Sequence, residues 1–378
     1  MISPFAIAQP KRIRFGRGES NAAVPEVAAM GTRVFLVHGR DPSRADWLRL
    51  ALKQAGLAVT CNACPGEPTL PMLETAVAAA KGSDLVVALG GGAAIDLGKA
   101  VAALVPAPSD ARDHLEVVGR GRPLAAEPLP FVAIPTTAGT GAEVTKNAVF
   151  GVPEHRRKVS LRDDRMIADL AVVDPALTDD CPGLVTLGSG LDAITQVIEP
   201  FLCTRANAYT DALCRAAIPT GLGALRRLMS DEDPGDRDAM AWVSLSGGLA
   251  LANSGLGAVH GLAGVIGGTT GAPHGAICGA LLPHVLRANA AAILPGTSQA
   301  ERFDDVFRWI GEVFGEADGV GALEAWMHEA GLPRLSAQGL DRADYAVMAD
   351  AARASSSMSG NPAPLDTNDL SAILRAAG

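Results

Sequence analysis

Three side chains with metal-binding chemistry lie in small-residue-rich helical stretches of the second half of this chain. Asp192 falls within residues 190–199, His260 within 255–264 and His274 within 272–279. One carboxylate and two imidazoles suit a divalent first-row metal, here iron or zinc, and leave coordination positions open for a substrate oxygen. We therefore predict that these residues are both metal ligands and catalytic residues.

A glycine-rich turn upstream indicates a dinucleotide site. A buried apolar run leads into Gly91, Gly92 and Ala93, and a helical pattern follows. Glycines let the backbone approach a pyrophosphate, and the free N–H groups of a helix start attract its negative charge. Asp96 either caps this helix or bonds a cofactor hydroxyl. By itself the turn is a weak signal, because any tight turn can use such glycines.

A second loop, rich in hydroxyl groups, follows another apolar run. Thr136, Thr137 and Thr140 alternate with glycines, which suits a loop that wraps a polar ligand. A capped helix start is the alternative, with Glu143 closing a capping box on Thr140. The two interpretations are compatible.

The elements that position these residues alternate along the first half of the chain. β-Branched runs predict strands over 33–37, 57–60, 84–89, 131–134 and 170–173, and helical periodicity predicts helices over 43–55, 71–81 and 94–104. The alternation indicates a mostly parallel sheet covered by helices. Beyond Asp174 the pattern becomes helical throughout. The predicted fold is an α/β dinucleotide-binding domain (1–178) followed by an all-helical metal and substrate domain (179–378).

Composition limits the kinds of partner. The 378 residues carry a net charge of -9, and 48% are hydrophobic. Nucleic acid and anionic membrane surfaces need clustered positive charge, so a small-molecule substrate is expected. No signal peptide and no unbroken apolar span is predicted, which favours a cytoplasmic protein. The pair Cys61 and Cys64 has no second pair, so we interpret it as ordinary packing.

The motifs together resemble the iron-containing (group III) alcohol dehydrogenases. The resemblance rests on the glycine turn, the threonine loop through Asn147, Lys158, the segment around Leu177, the Asp192 helix and the two histidine motifs. It implies the dehydroquinate synthase-like two-domain architecture, with the active site in the cleft between the domains and pairing into homodimers. It also implies an NAD(P)-dependent oxidoreductase that interconverts a small alcohol and its aldehyde or ketone.

The resemblance assigns residues to the cofactor. Gly91, Gly92 and Ala93 would carry the pyrophosphate, and the three threonines would line the cofactor cleft. Asn147 and Lys158 would reach the nicotinamide half, and Leu177 would complete the site.

Two departures from the family pattern concern the metal and the proton. A histidine usually stands four residues after the aspartate, one helical turn along the same face, and here that position is Gln196. A neutral amide oxygen is a poorer ligand, so Gln196 is a weaker fourth candidate. A histidine that relays a proton is often found at the position of Gly264, so water, the cofactor ribose or another group must take that role here.

Cofactor choice depends on the first predicted strand. NAD-preferring enzymes usually place an acid after it to bond the ribose 2′-hydroxyl, whereas arginine and open space accommodate a 2′-phosphate. Here Gly39 takes the acid's place, and Arg40 and Ser43 offer phosphate donors. NADP is therefore predicted. NAD stays an alternative, because Asp41 is an acid close to the same position.

Three alternatives stay open from the sequence. One is a metal-independent enzyme similar to the maleylacetate reductases, with Arg162, Arg165 and Arg205 as carboxylate anchors. Another is a lyase similar to the dehydroquinate synthases, which the scarcity of lysine in the helical half disfavours. The third is a non-catalytic relative that only binds the dinucleotide.

Overall fold

The computed structural model describes residues 2–155 and 157–378. The strands are β1 (Arg12–Phe15), β2 (Arg33–His38), β3 (Ala58–Ala63), β4 (Leu85–Gly90), β5 (Phe131–Pro135), β6 (Asn147–Val152), β7 (Arg157–Arg162) and β8 (Leu170–Val173). The helices are α1 (Glu19–Ala22), α2 (Val24–Ala28), α3 (Asp46–Gln54), α4 (Leu70–Ala79), α5 (Gly92–Leu104), α6 (Ala111–His114), α7 (Gly183–Leu202), α8 (Ala208–Leu228), α9 (Pro234–Asn253), α10 (Ala258–Thr270), α11 (His274–Ala292), α12 (Ser298–Phe314), α13 (Gly319–Glu329), α14 (Tyr345–Arg353) and α15 (Thr367–Ala377).

The first half of the chain forms the parallel sheet that the sequence predicts. Six strands lie in the order β1-β8-β5-β4-β2-β3, and all neighbours pair in parallel. Every residue of β4 and β5 is buried, because apolar side chains from helices cover both faces. Continuous apolar runs are what such a two-sided burial requires.

Two features of this half are absent from the sequence prediction. The edge strand β1 reads Arg-Ile-Arg-Phe and is only partly buried, so it lacks the apolar run of the central strands. β6 and β7 form a separate antiparallel hairpin, with Asn147 paired to Arg162 and Gly151 to Lys158.

The sheet has a point at which its strand order reverses, and the predicted cofactor loops follow the strands there. From β2 the chain continues to β3 on one side, whereas from β4 it continues to β5 on the other side. Gly39 therefore follows β2, Gly91 follows β4 and Thr136 follows β5, all at the carboxyl edge of adjacent strands. In open α/β sheets, ligands bind in the crevice at such a switch point.

The second half contains helices α7 to α15 and, among the described residues, no strand. Its core is a continuous cluster of buried side chains contributed by all nine helices, for example Leu191, Leu222 and Leu281. The helical pattern predicted beyond Asp174 is confirmed.

Contacts between residues divide the chain into two units. One contains residues 8–137 and Gly141–Asp179, and the other contains residues 2–7, Ala138–Thr140 and Asp180–Gly378. The short segment Ala138–Thr140 therefore groups with the helices.

No single helix in the described part of the chain is both long and apolar enough to cross a bilayer. Taken together, α9 and α10 satisfy the length and composition criteria, but they meet at a bend of 99°.

Candidate active site

The three predicted metal ligands lie together in the helical unit. His260 Nε2 is 3.3 Å from Asp192 Oδ1, and His274 Nε2 is 3.8 Å from the same oxygen. A fourth residue, Cys278, joins them, and the ligand atoms of all four lie within 4.8 Å of one another. The sequence prediction did not include Cys278, although it stands one helical turn after His274.

A close crossing of α7 and α11 brings these side chains together. A Cβ atom at Gly275 would overlap the carbonyl oxygen of Gly188 and would lie 3.2 Å from Cβ of Asp192. A Cβ atom at Gly279, one turn later, would lie 2.6 Å from Leu191. Only glycine permits this separation, so the two glycines position α11 against the Asp192 helix.

Glu199 holds His260 through the ring nitrogen that does not face Asp192. Its Oε2 lies 2.7 Å from His260 Nδ1, and its Oε1 accepts the backbone N–H of Val259 at 2.7 Å. Since an ionised carboxylate has no proton to donate, Nδ1 is the donor, and the lone pair of Nε2 is left for a metal. Asn361 Oδ1 accepts the N–H of Ala258, so the start of α10 is held at two successive residues.

The charge environment of the cluster favours ionised Asp192. Burial opposes that ionisation, but His274 and His260 outweigh it and hold the pKa of Asp192 below its ordinary value. Burial also lowers the pKa of His260, yet the nearby carboxylates of Asp192 and Glu199 prevail and raise the pKa to about 10. A cation is thus strongly favoured at this point, as either a proton or a metal.

Two buried polar atoms support a metal rather than a closed hydrogen-bond network. Asp192 Oδ1 and His260 Nε2 have no hydrogen-bond partner of acceptable geometry among the described residues. Buried polar atoms are rarely left without a partner, and a bound ion is one standard explanation. The donor set of carboxylate, imidazole and thiol also fits a divalent transition metal.

Gln196 lies one turn after Asp192 on α7 and has a different contact. Its Nε2 donates to the carbonyl oxygen of Thr140 at 2.6 Å. Gly139, next to Thr140, packs against Ser189, since a Cβ there would lie 3.0 Å from the serine Cβ. The segment Ala138–Thr140, which belongs to the helical unit, is thereby fixed to α7. The capping box between Thr140 and Glu143 is wrong, because Gly141 precedes the short helical turn there and no side chain caps it.

The glycine turn and the threonine loop meet at the sheet edge, as cofactor binding would need. Gly91 occupies the cap position of α5 without a side-chain cap, and Gly92 and Ala93 form the first turn of that helix. A Cβ atom at Gly91 would lie 3.4 Å from the Thr137 hydroxyl. The N–H of Thr136 donates to the carbonyl of Gly90 at 3.0 Å.

Asp96 does not cap the helix start, and it contacts the hairpin instead. Its Oδ2 accepts the N–H of Val149 at 3.0 Å, and burial raises its pKa to about 6. Lys99 lies one turn later and is buried, and it donates to the carbonyls of Ala142 and Asn147 at 2.7 and 2.8 Å. These two residues fasten α5 to the segment that follows the threonine loop.

The residues proposed to choose the cofactor lie around a short turn after β2. A Cβ at Gly39 would have nothing within 4 Å. Arg40 donates through Nε to the carbonyl of Pro65 at 2.9 Å, and Ser43 donates through its hydroxyl to Asp41 at 2.7 Å. The hydroxyl and the backbone N–H of Ser43 both donate to Asp41 and hold its pKa below its ordinary value, so a negative charge stands at this turn.

The remaining cofactor candidates lie further along the chain. Asn147 and Lys158 are on one face of the hairpin, separated along it by roughly 13 Å, the length of four strand residues. Lys158 forms an ion pair with Glu67. Leu177 lies in a helical turn after β8 and packs on the core of the sheet.

Side chains named in the sequence alternatives have local partners. Arg165 bonds to Asp163 and Glu127, and Arg205 bonds to the carbonyl of Ser254. Burial raises the pKa of Cys64 to about 11, opposite to what a reactive thiol requires.

The sequence matches known families over nearly its whole length. Residues 10–175 match the iron-containing alcohol dehydrogenases, and residues 186–378 match the C-terminal part of the Fe-containing alcohol dehydrogenase family. The chain belongs to the iron-containing alcohol dehydrogenase family. The predicted family, fold class and alcohol dehydrogenase activity are therefore confirmed. The family implies a nicotinamide dinucleotide and a divalent metal, in agreement with the prediction at that level.

Individual relatives match all or nearly all of the chain. It is 33% identical to long-chain-alcohol dehydrogenase 1 of Geobacillus thermodenitrificans, covering 100% of this chain and 97% of the relative. It is 32% identical to lactaldehyde reductase of Escherichia coli, covering 94% and 95%. A solved structure of 1,3-propanediol oxidoreductase superposes with a TM-score of 0.87 at 25% identity over the whole of both chains.

Proposed function

We propose that this alcohol dehydrogenase interconverts a small alcohol and its aldehyde with NADP and a divalent metal held by Asp192, His260 and His274. The cluster of these side chains carries the proposal, because its two buried atoms without partners suit an ion. When bound, the metal would act as a Lewis acid toward the substrate oxygen, and the nicotinamide would exchange a hydride with the carbon that bears it.

The residues of the cluster divide into a buried part and an accessible part. The side chains of Asp192 and His260 are 3% and 6% exposed, whereas that of His274 is 30% exposed. A substrate would therefore approach on the side of His274. The relatives named for lactaldehyde and propanediol support a short, polar alcohol as the substrate.

The substrate hydroxyl must also lose a proton when the alcohol is oxidised. Gly264 stands where the family often has a histidine, and a Cβ there would meet nothing within 4 Å. We assign the proton transfer to water in that open space. Gly91, Gly92, Ala93 and the three threonines would hold the dinucleotide, and its 2′-phosphate would lie near Gly39, Arg40 and Ser43.

The test is a panel of short alcohols and aldehydes assayed by nicotinamide absorbance, with NADPH and NADH and with iron or zinc added. We expect metal-stimulated turnover that the H274A variant loses. Full retention of rate in H274A would overturn the assignment of the metal site. No turnover under any condition would favour a non-catalytic relative. The homodimer and the cytoplasmic location stay predictions from the sequence.

A further inference from the structure

We propose that Cys278 is the fourth protein ligand of the metal. It would replace the ligand histidine that the family usually has at position 196, so that this enzyme binds its metal through a thiolate. The inference rests on the proposed function, since it concerns the metal site assigned there. It adds a residue that the family pattern and the sequence prediction do not supply.

The distances fit one ion among the four side chains. Bonds of about 2.0–2.3 Å to nitrogen, oxygen and sulfur put adjacent ligand atoms of a tetrahedral ion roughly 3.3–3.6 Å apart. Cys278 Sγ lies 3.6 Å from His274 Nε2, and the two contacts of Asp192 Oδ1 measure 3.3 and 3.8 Å. No two of the four ligand atoms are more than 4.8 Å apart, so side-chain movements of about 1 Å would bring all four to bonding distance of one ion.

Cys278 has the same spacing from His274 as Gln196 has from Asp192. Asp192 and Gln196 are one turn apart on α7, and His274 and Cys278 are one turn apart on α11. Residues four apart share a helix face. The glycine crossing at Gly275 brings the second pair against the first, so a ligand on either helix can complete the site.

The surroundings of Cys278 favour an ion over simple packing. Its side chain is fully buried beside two polar atoms that have no hydrogen-bond partner among the described residues, Asp192 Oδ1 and His260 Nε2. A carboxylate and a thiolate together neutralise a divalent cation, which matters where water is excluded. Cys214 is equally buried in the same helical core but is not part of the group of metal-ligating atoms, so it provides the contrast.

A thiolate changes which metal and which chemistry the site prefers. Soft sulfur ligands favour zinc, whereas sites of imidazole and carboxylate also suit iron. We therefore expect zinc to predominate in the purified enzyme. With four protein ligands, the metal would act as a Lewis acid only by accepting a fifth ligand, as catalytic zinc does in some enzymes.

The experiment exchanges the metal of the full-length enzyme for cobalt and records the near-ultraviolet spectrum, where thiolate-to-cobalt charge transfer absorbs. We expect the band in the wild type and in the matched control C214A, and its loss in C278A. Zinc affinity should fall at least about tenfold in C278A, within the range seen when a metal site is perturbed. Circular dichroism shows whether each variant is folded.

A second variant keeps the test decisive. Q196H in the C278A background should restore zinc affinity without restoring the charge-transfer band, because it returns an imidazole and not a thiolate. Stoichiometric cobalt without the band in the wild type, or a band that persists in C278A, would overturn the thiolate ligand alone. A wild type that binds no divalent metal would overturn both this inference and the metal site of the proposed function.

Discussion

Glu199 and His260 share a buried hydrogen bond of 2.7 Å that joins α7 to α10 behind the metal-ligand cluster. The other oxygen of Glu199 accepts the N–H of Val259 at 2.7 Å, so one carboxylate fixes both the backbone and the ring of the histidine region. Glu199 is not part of the group of metal-ligating atoms, and it acts through His260 as a positioning residue.

The first prediction concerns E199Q. An amide has one acceptor oxygen, so it can bond Val259 or His260 but not both. We expect metal affinity to fall about 10- to 100-fold, as when other partners of metal ligands are lost. Titration with zinc measures it, and activity should recover at saturating metal. An unchanged dissociation constant would show that Glu199 has a structural role only.

Tertiary contacts explain why the sequence predicts the metal ligands only in part. Asp192, His260 and His274 carry ligand chemistry that their residue types reveal. Glu199 and Cys278 acquire their roles from helix crossings, which periodicity does not specify. A search one turn beyond His274 would have found Cys278, since ligands often stand four residues apart on a helix.

The sheet was predictable to the extent that its strands are buried. The four central strands, β2, β4, β5 and β8, are apolar runs that fall within one residue of the predicted bounds, whereas the mostly exposed edge strand β3 ends three residues later than predicted. The edge strand β1 and the hairpin β6–β7 were not predicted, because β1 and β7 lack a continuous apolar run and β6 buries only every second residue. The role of Lys99 also escaped, because a lysine is seldom fully buried unless it has partners, as this one has.

The second prediction concerns cofactor choice through G39D. The site after β2 has open space at Gly39, so an aspartate fits without displacing neighbours. Its charge would repel a 2′-phosphate and bond a 2′-hydroxyl. We expect the ratio of kcat/KM for NADPH over NADH to fall at least about tenfold, a change of roughly 1.4 kcal/mol.

A matched control separates position from charge. T75D places the same charge on the exposed face of α4 and should leave the ratio unchanged. If G39D and T75D give the same ratio as the wild type, Gly39 does not face the ribose, and the NADP assignment loses its main support.

The third prediction is a pH dependence of stability that comes from Glu143. Burial raises the pKa of Glu143 from 4.5 to about 7, although the charge of nearby Lys99 opposes the shift. The folded-state pKa exceeds the unfolded one, so the protonated side chain stabilises the fold below pH 4.5. This contribution is lost as pH rises through about 7.

Thermal midpoints at pH 5 and pH 8 measure that loss. We expect E143Q to reduce the decline in the free energy of unfolding by roughly 2–3 kcal/mol. Part of the decline should persist, because burial also raises the pKa of Asp96, to about 6. E74Q removes an exposed carboxylate and should match the wild type. If the free energy of unfolding of E143Q and of the wild type depends on pH in the same way, the raised pKa of Glu143 in the folded protein is contradicted.

The fourth prediction tests the glycine crossing that builds the site. In G275A the new Cβ would overlap the carbonyl oxygen of Gly188, and backbone cannot move aside as a flexible side chain can. We expect α11 to shift away from α7, with a loss of roughly 1–3 kcal/mol of stability from overpacking. Because His274 and Cys278 lie on α11, metal affinity should fall in the same variant.

G264A is the control for this prediction. The new Cβ meets nothing within 4 Å, and replacing a helical glycine by alanine raises the free energy of unfolding by roughly 0.5–1 kcal/mol. Thermal midpoint and zinc titration, measured together on both variants, distinguish the cases. Wild-type zinc affinity in a destabilised G275A would mean that the ligand cluster does not depend on this crossing.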